Sequence, residues 1–423
     1  MVERAPFLNA AYSAWHHRGL PEEDKELTRI GPGTPCGEYL RRFWQPIILA
    51  SELGELPRRV RILGEDLVVF RDKGGAIGLL ELYCPHRGTS LEFGLIGDKG
   101  IRCCYHGWLF DVDGTILETP GEPADSTLKH RLCHGAYPVH EYAGLVFAYM
   151  GPPDRRPAFP VFDTYDLPGY QLVARAPTLW DCNWLQVKEN SMDPAHVAFL
   201  HTLPGSQGFN DEFKDLAEWD WMETPVGMVY IDTRRQHDKV WVRVADFILP
   251  NIHQFPPNAD PVSLRNSINR PQATTWAVPL DDTHTMQIGY YRWPEGKESG
   301  RNIGFGQDNS RPYEERQRVP GDWDAQVSIH DGMARHGLEH LASTDRGIIM
   351  MRNMIRKAIR AADAGEDFGY PVPAAGAVVP TYSHDRLVPG IAPAATPEAD
   401  RRLLREVARN VVAEAVRTGL TQA

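Results

Sequence analysis

From position 43 onward the chain alternates short β-branched and aromatic runs with turn formers. Runs at 43–50, 58–63, 67–71, 76–82, 108–112 and 145–150 are split by Gly64-Glu65-Asp66, Lys73-Gly74-Gly75 and Asp113-Gly114, the punctuation of antiparallel strands joined by tight turns. A small antiparallel β domain is therefore predicted. It closes near Gly151-Pro152-Pro153, and 155–160 has the composition of a linker. Ahead of it, a polar arm over 1–35 ends in Gly31-Pro32-Gly33-Thr34-Pro35, too rich in turn formers to continue a helix or strand. Beyond the linker the period changes. The stretch 180–200, rich in aromatics and ionisable groups, reads as helix, and runs at 228–233, 240–248 and 285–292 read as strands. Over 323–360, Ile348, Ile349, Met351, Ile355 and Ile359 recur at helical spacing, and Gly365 lies just beyond. A Pro/Ala/Gly/Val connector at 371–380 leads to an amphipathic helix over 400–416, carrying Leu403, Leu404, Val407, Val411 and Val412, that would dock on the core or on a partner subunit. No internal repeat is visible. The expected organisation is α+β: arm 1–35, β domain 36–158, a larger domain 159–390 of antiparallel sheet and flanking helices, and a C-terminal helix within 391–423.

Composition narrows the function classes. With 45 basic and 56 acidic residues in 423, the net charge of −11 argues against a nucleic-acid binder, which would carry a basic stripe. No apolar run approaches the ~20 residues that span a bilayer. Nor does the N-terminus carry a basic region followed by an apolar core. A cytoplasmic protein is expected, so the six cysteines read as reduced thiols or metal ligands rather than a disulfide framework.

Two short segments carry the chemistry. Cys84-Pro85-His86 is followed by Cys103-Cys104-Tyr105-His106, so two loops of the β domain each offer one thiolate and one imidazole. Two sulfurs and two nitrogens suit zinc, or a [2Fe–2S] cluster in which histidines replace cysteines on one iron. One Cys and one His per loop favours iron, because structural zinc more often uses Cys-x-x-Cys and His-x(3–5)-His knuckles. With Gly107-Trp108 and Phe110-Asp111-x-Asp113-Gly114 after it, the pattern resembles a Rieske motif. That resemblance implies Cys84 and Cys103 on one iron and His86 and His106 on the other. Cys104 has no place in the pattern and reads as a small buried thiol.

The second segment is 190–201, Asn190-Ser191-Met192-Asp193-Pro194-Ala195-His196-Val197-Ala198-Phe199-Leu200-His201. Asp193 and His196 share a helical face, whereas His196 and His201 would be splayed by about 140° on a regular helix. The histidines converge only if the helix holds a wide turn or unravels at His201, and Pro204-Gly205 makes an end there plausible. Two histidines and a carboxylate form the facial triad of non-haem Fe(II) oxygenases. The bland alternative is Asp193 as an N-cap ahead of Pro194, beside a core histidine.

The two motifs together resemble the terminal-oxygenase α subunits of Rieske non-haem iron aromatic ring-hydroxylating oxygenases. Within that family Thr28-Arg29-Ile30-Gly31-Pro32-Gly33-Thr34-Pro35, Val60-x-Ile62-Leu63-Gly64-Glu65-Asp66 and the Glu339…Asp345…Arg352 run look most like the phthalate dioxygenase group. The resemblance implies a helix-grip, START-like catalytic domain, a [2Fe–2S] cluster and a mononuclear Fe(II). It also implies a homo-oligomer, trimer or hexamer, served by an NAD(P)H-dependent flavin and iron–sulfur reductase. His196 and His201 would bind iron, Asn190 would lie close to it, and Asp193 would link His196 to His106 of a neighbouring subunit. The third ligand would be a downstream carboxylate. Asp324 fits best, with Asp322, Asp331 and Asp345 as alternatives.

The expected activity is ring dihydroxylation of an aromatic carboxylate with O₂. Monooxygenation or O/N-demethylation with the same metals is the alternative; an electron-transfer protein and a structural zinc protein are the rivals of other classes. An anionic substrate needs a local cation, and Arg234, Arg235 and Arg243 are the candidates, with Trp241, Phe247 and His253 as possible walls.

Overall fold

The computed structural model describes residues 22–202, 211–257, 268–297, 310–366 and 376–420. It is α+β, as the sequence implied. The N-terminal part holds β1 (Gln45–Leu49), β2 (Arg58–Ile62), β3 (Glu65–Arg71), β4 (Ile77–Glu81), β5 (Leu95–Ile96), β6 (Ile101–Arg102), β7 (Leu109–Phe110), β8 (Ile116–Glu118), β9 (Val139–Tyr142) and β10 (Leu145–Ala148). They form three small antiparallel sheets, ordered β1-β10-β9, β2-β3-β4 and β5-β6-β7-β8. Strand alternation lets β3 serve two cores at once. Its Val68 and Phe70 pack with Leu82, Ile101, Phe110 and the two buried cysteines Cys84 and Cys103, while Leu67 and Val69 join the main core.

The larger part opens with β11 (Val161–Phe162), β12 (Tyr170–Trp180), β13 (Glu218–Thr224), β14 (Gly227–Gln236), β15 (Lys239–Ile248) and β16 (Ile252–Phe255). It continues with β17 (Ile268–Asn269), β18 (Ala273–Asp281), β19 (His284–Pro294), β20 (Val378–Val379) and β21 (His384–Val388). Nine of these form one antiparallel sheet in the order β12-β19-β18-β16-β15-β14-β13, with β21 paired to β15 and β17 to β21. The helices are α1 (Lys25–Thr28), α2 (Pro35–Leu40), α3 (Leu128–Arg131), α4 (Trp184–Asn190), α5 (Val197–Leu200), α6 (Tyr313–Arg318), α7 (Asp322–Val327), α8 (Arg346–Asp363) and α9 (Pro397–Thr418). No helix among the described residues is long and apolar enough to cross a membrane.

α4 lies against β18 and β19, and from Trp184 to Glu189 every residue is buried. Asn183 starts it by accepting a hydrogen bond from the Leu185 N–H and donating to the Thr28 and Asp282 carbonyls. The described end of the arm is held there too. Trp184 donates to the Leu27 carbonyl at 3.0 Å, and Arg356 of α8 pairs with Asp24 and Glu26. The amphipathic α9, begun by the Thr396 cap and Pro397, packs its Leu404, Ala408, Val411, Val412 and Ala415 side on β13, β14 and β15 of its own sheet.

One continuous helix over 323–360 is not formed. The stretch splits into α7 and α8 because the backbone turns left-handed at His330 and Asp331; the apolar period that suggested a helix belongs to α8 alone, where Met351, Ile355 and Ile359 are buried. Gly347, in the first turn of α8, faces the Trp221 indole so closely that a Cβ would stand 2.0 Å from its Nε1. Helix propensity favours Ala over Gly by ~1 kcal/mol, but the steric effect is larger. Gly347→Ala is expected to lower stability by about 1–3 kcal/mol, measured by denaturant unfolding, by displacing an indole that donates to the Met192 carbonyl at 3.2 Å.

Candidate metal centres

The two loops of the β domain are built alike. In 84–88 the Gly88 N–H donates to the Cys84 carbonyl at 2.8 Å, and in 103–107 the Gly107 N–H donates to the Cys103 carbonyl at 3.1 Å. Each loop thus closes over four residues on a glycine with φ near +75°, a conformation that L-residues with a Cβ rarely adopt. The turns aim both thiols inward and both imidazoles outward. Cys84 and Cys103 are each 3% exposed, and burial first, then the facing Cys103 thiol, pushes the Cys84 thiol up to about 11. The exposed His86 and His106 rings stand 4.5 Å apart, with His86 stacked on Trp108 at 4.9 Å. Two adjacent thiols below two adjacent imidazoles fit a two-sulfur, two-nitrogen cluster. Cys104 is exposed, not the small buried thiol expected; its side chain falls on the outward half of the same turn.

In the larger domain α4 stops at Asn190, and the chain crosses Met192-Asp193-Pro194 before the single turn of α5. The Nδ1–H of His196 donates to the Asp193 backbone carbonyl. With Nδ1 as the donor, Nε2 is the acceptor nitrogen, and the Asn190 amide Nδ2 lies 3.4 Å from it. His201 sits at the C-cap of α5, so of the two geometries considered the helix end is the one adopted; Pro204-Gly205 lies outside the described residues. The rings stand 5.2 Å apart, and both Nε2 atoms meet Asp322 Oδ1, His196 at 3.5 Å and His201 at 3.2 Å. Asn190 Nδ2 donates to the same oxygen at 3.2 Å. Burial raises the Asp322 pKa, but the His201 hydrogen bond and the two histidines outweigh it and hold the carboxyl below its usual range. Two imidazole nitrogens and a carboxylate oxygen, all within 4.8 Å of one another, fit a divalent metal with open positions.

The structure brings Asp322 to the histidines, and this corrects the preference for Asp324. Two residues apart on a helix means about 200° of rotation, so only one of them can face the histidines. Asp324 is the third residue of α7 and reaches back to accept from the Gly321 N–H at 2.9 Å, while Arg311 and Arg316 bind its two oxygens at 3.0 and 2.6 Å. Asp331 is exposed on the left-handed turn, and Asp345 accepts from the Ala342 N–H ahead of α8. The Asp193 carboxylate stands 3.9 Å from His196 Nδ1 and accepts from the Ala195 N–H at 2.9 Å. Burial first pushes its pKa up, against the His196 charge.

A cavity of about 170 Å³ opens from the His196, His201 and Asp322 group against the sheet, walled by Trp180, Tyr230, Phe255 and Tyr291 among others. Of the three arginines proposed for substrate, only Arg243 lines it, and its guanidinium is taken up by Asp385 at 3.0 Å and the Pro256 and Pro257 carbonyls at 2.9 Å. Arg234 pairs with Asp232 at 2.6 Å. Arg235 is held by Asp400 of α9. The turn at 237–238 is what separates them. Arg235 opposes Val240 and Arg243 opposes Asp232, so Arg235 and Arg243 fall on opposite faces of the sheet. His253 does wall the cavity. Trp241 instead packs with Phe213, Val197 and Leu387 in a small separate core, and Phe247 belongs to the main one. A second group, buried Glu189 with half-buried His336 and Glu339, is organised around Arg352, which binds Glu189 at 2.6 Å and Glu339 at 2.6 and 2.9 Å; it is an ion-pair network that anchors α4 to α8.

Residues 43–140 match the family model of the Rieske [2Fe-2S] domain. Over 98% of its length the chain is 42% identical to the tert-butanol monooxygenase / tert-amyl alcohol desaturase oxygenase subunit of Aquincola tertiaricarbonis, covering 94% of that protein. It is 37% identical to the phenoxybenzoate dioxygenase subunit alpha of Ectopseudomonas oleovorans, over 87% of this chain and 92% of the relative. Among solved structures, the Pseudomonas putida CBB5 NdmA QL mutant with caffeine superposes with a TM-score of 0.61 at 20% identity, covering 81% of this chain and 98% of that one, a likeness of fold. The chain therefore belongs to the Rieske non-haem iron oxygenases, as an oxygenase α subunit of the phthalate dioxygenase-like group that carries a [2Fe–2S] cluster and a mononuclear non-haem iron.

Proposed function

We propose that this oxygenase hydroxylates a small aromatic carboxylate by ring dihydroxylation, with electrons delivered from NAD(P)H by a separate flavin and iron–sulfur reductase. The observation that carries the reading is the cavity, which joins the His196, His201 and Asp322 group to aromatic walls in one space of about 170 Å³. When bound, the cluster supplies one-electron transfer and the mononuclear iron supplies O₂ activation. Cys84, Cys103, His86 and His106 hold the cluster at the exposed tip of the β domain. His196, His201 and Asp322 hold the iron, and the Asn190 amide steadies Asp322 from the side. Trp180, Tyr230 and Tyr291 hold a ring and keep water out. Asp193 links His196 to His106 of a neighbouring subunit in a homo-oligomer; the exposure of His86 and His106 leaves the tip free for such a contact.

A second reading, attack of one oxygen on a C–H bond of a small branched alcohol, is favoured by the 42% identity to an enzyme named for tert-butanol. Turnover under ¹⁸O₂ separates the two. Two labelled oxygens in a cis-diol are expected for the first; one labelled oxygen in a hydroxylated or chain-cleaved product would replace it with the second.

A further inference from the structure

Lys188 projects from α4 into the cavity while only 2% exposed. Its Nζ lies 5.9 Å from the Phe247 ring centroid and has no carboxylate, carbonyl or hydroxyl partner among the described residues. The other cations that line or adjoin the cavity among the described residues are engaged. Arg243 and Arg234 are neutralised by Asp385 and Asp232, and the Arg175 guanidinium lies over the Tyr291 ring at 5.1 Å. Close by, His253 also lines the cavity, and its Nδ1 is buried with no hydrogen-bond partner among the described residues. Burial first, and then the Lys188 charge, holds that imidazole neutral, well below its usual pKa.

An ammonium in such a place is costly unless an acceptor reaches it, and the same α4 position filled by Met or Leu would carry no such cost. Burial alone pulls the Lys188 pKa down to about 7; an anion paired with it would favour the charged form. Trp180 Nε1, Thr275 Oγ1, Gln326 Oε1 and Asp232 Oδ1 in the lining also lack a hydrogen-bond partner among the described residues, but they are neutral or anionic, and Lys188 is the group among them that can meet an anion with a positive charge.

We propose that Lys188 is the substrate anchor of this site, receiving the substrate's carboxylate, with His253 as the second polar contact, so that the carbon to be oxidised is turned toward His196, His201 and Asp322. The assignment rests on the oxygenase reading and gives it a substrate-binding residue that the three arginines do not supply. It predicts an acid-specific effect, which a purely structural role for the amine would not produce.

The test is calorimetric titration of the full-length holoenzyme with benzoate, phthalate and 3-phenoxybenzoate, each beside its methyl ester, and with tert-butanol. At least one acid is expected to bind more tightly than its ester. Lys188→Met should weaken that acid about 30-fold or more, leave ester and tert-butanol binding within about threefold, and keep both metals; Lys188→Arg should recover part of the loss. Lys188→Gln serves the same purpose if the Met variant does not fold. Equal affinity of acids for wild type and variant, no preference for any acid over its ester, or dependence on Lys188 confined to tert-butanol would each overturn the assignment. Failure of the underlying oxygenase reading has a different sign, absence of the mononuclear iron from the wild-type protein.

Discussion

Asp322→Ala is expected to yield a protein with the cluster's colour and EPR signal, about two of its three irons per chain, and no detectable turnover. Both imidazole nitrogens and the Asn190 amide converge on this single carboxylate. Losing even an outer hydrogen-bond partner of a metal ligand costs roughly 10–100-fold in affinity, so losing the carboxylate itself should empty the site under ordinary purification. Iron and acid-labile sulfide analysis reads the result directly. Asp324→Ala, two residues on, is the control. It should keep all the iron and cost about 1 kcal/mol of stability, because its bonds go to the Gly321 N–H, Arg311 and Arg316. Iron loss in the second variant and not in the first would reverse the assignment and remove the reason for placing the substrate in this cavity.

The contrast between those two aspartates also marks where sequence reading stopped. The paired loops of the β domain were legible because each keeps one Cys and one His within a single short turn, Cys84 with His86 and Cys103 with His106. Choosing Asp322 over Asp324 required knowing that α7 begins at Asp322, with Gly321 as its N-cap. A signal was present, since an acidic residue three places after a glycine is suited to satisfy the free N–H groups of a helix start, but two candidate carboxylates in four residues hid it. The arginines were harder to read for a different reason. Arg243 does reach the cavity, but what neutralises it and Arg235 lies far away in sequence, Asp385 and Asp400, and no local pattern announces a partner more than a hundred residues distant; Arg234 pairs within its own strand, with Asp232. Strands β12, β13 and β18 escaped as well. β12 carries Pro177 at a register shift, and β13, Glu-Trp-Asp-Trp-Met-Glu-Thr, alternates polar and aromatic residues in a way that is also compatible with a surface loop. Lys188 gave no signal at all, because a lysine beside Glu189 and Asn190 reads as the solvated side of a helix until the sheet is seen to close around α4.

Asp193→Asn is expected to leave about three irons and two sulfides per chain while reducing product formation by about 100-fold or more. The position predicts this split. Its backbone carbonyl, which the substitution keeps, is what orients His196 through Nδ1, so the iron ligand should stay in place. What changes is the carboxylate, 3.9 Å from that ring nitrogen and partly open to the surface. An amide has the same shape but lacks the charge that, in the proposed link, would draw an imidazole N–H of a second subunit into line. Two measurements separate a lost link from a distorted site. Reduction of the cluster by a reductase should proceed at the wild-type rate, whereas transfer onward, followed in a single turnover by reoxidation of the cluster in the presence of substrate and O₂, should slow by the same factor as product formation. If the variant instead loses its mononuclear iron, Asp193 acts by holding His196 in position, and the electron path between subunits must be sought through other residues. If cluster reoxidation and product formation both stay at the wild-type rate, the carboxylate has no part in the transfer, and its contribution is reduced to the hydrogen bond it accepts from the Ala195 N–H at the start of the turn.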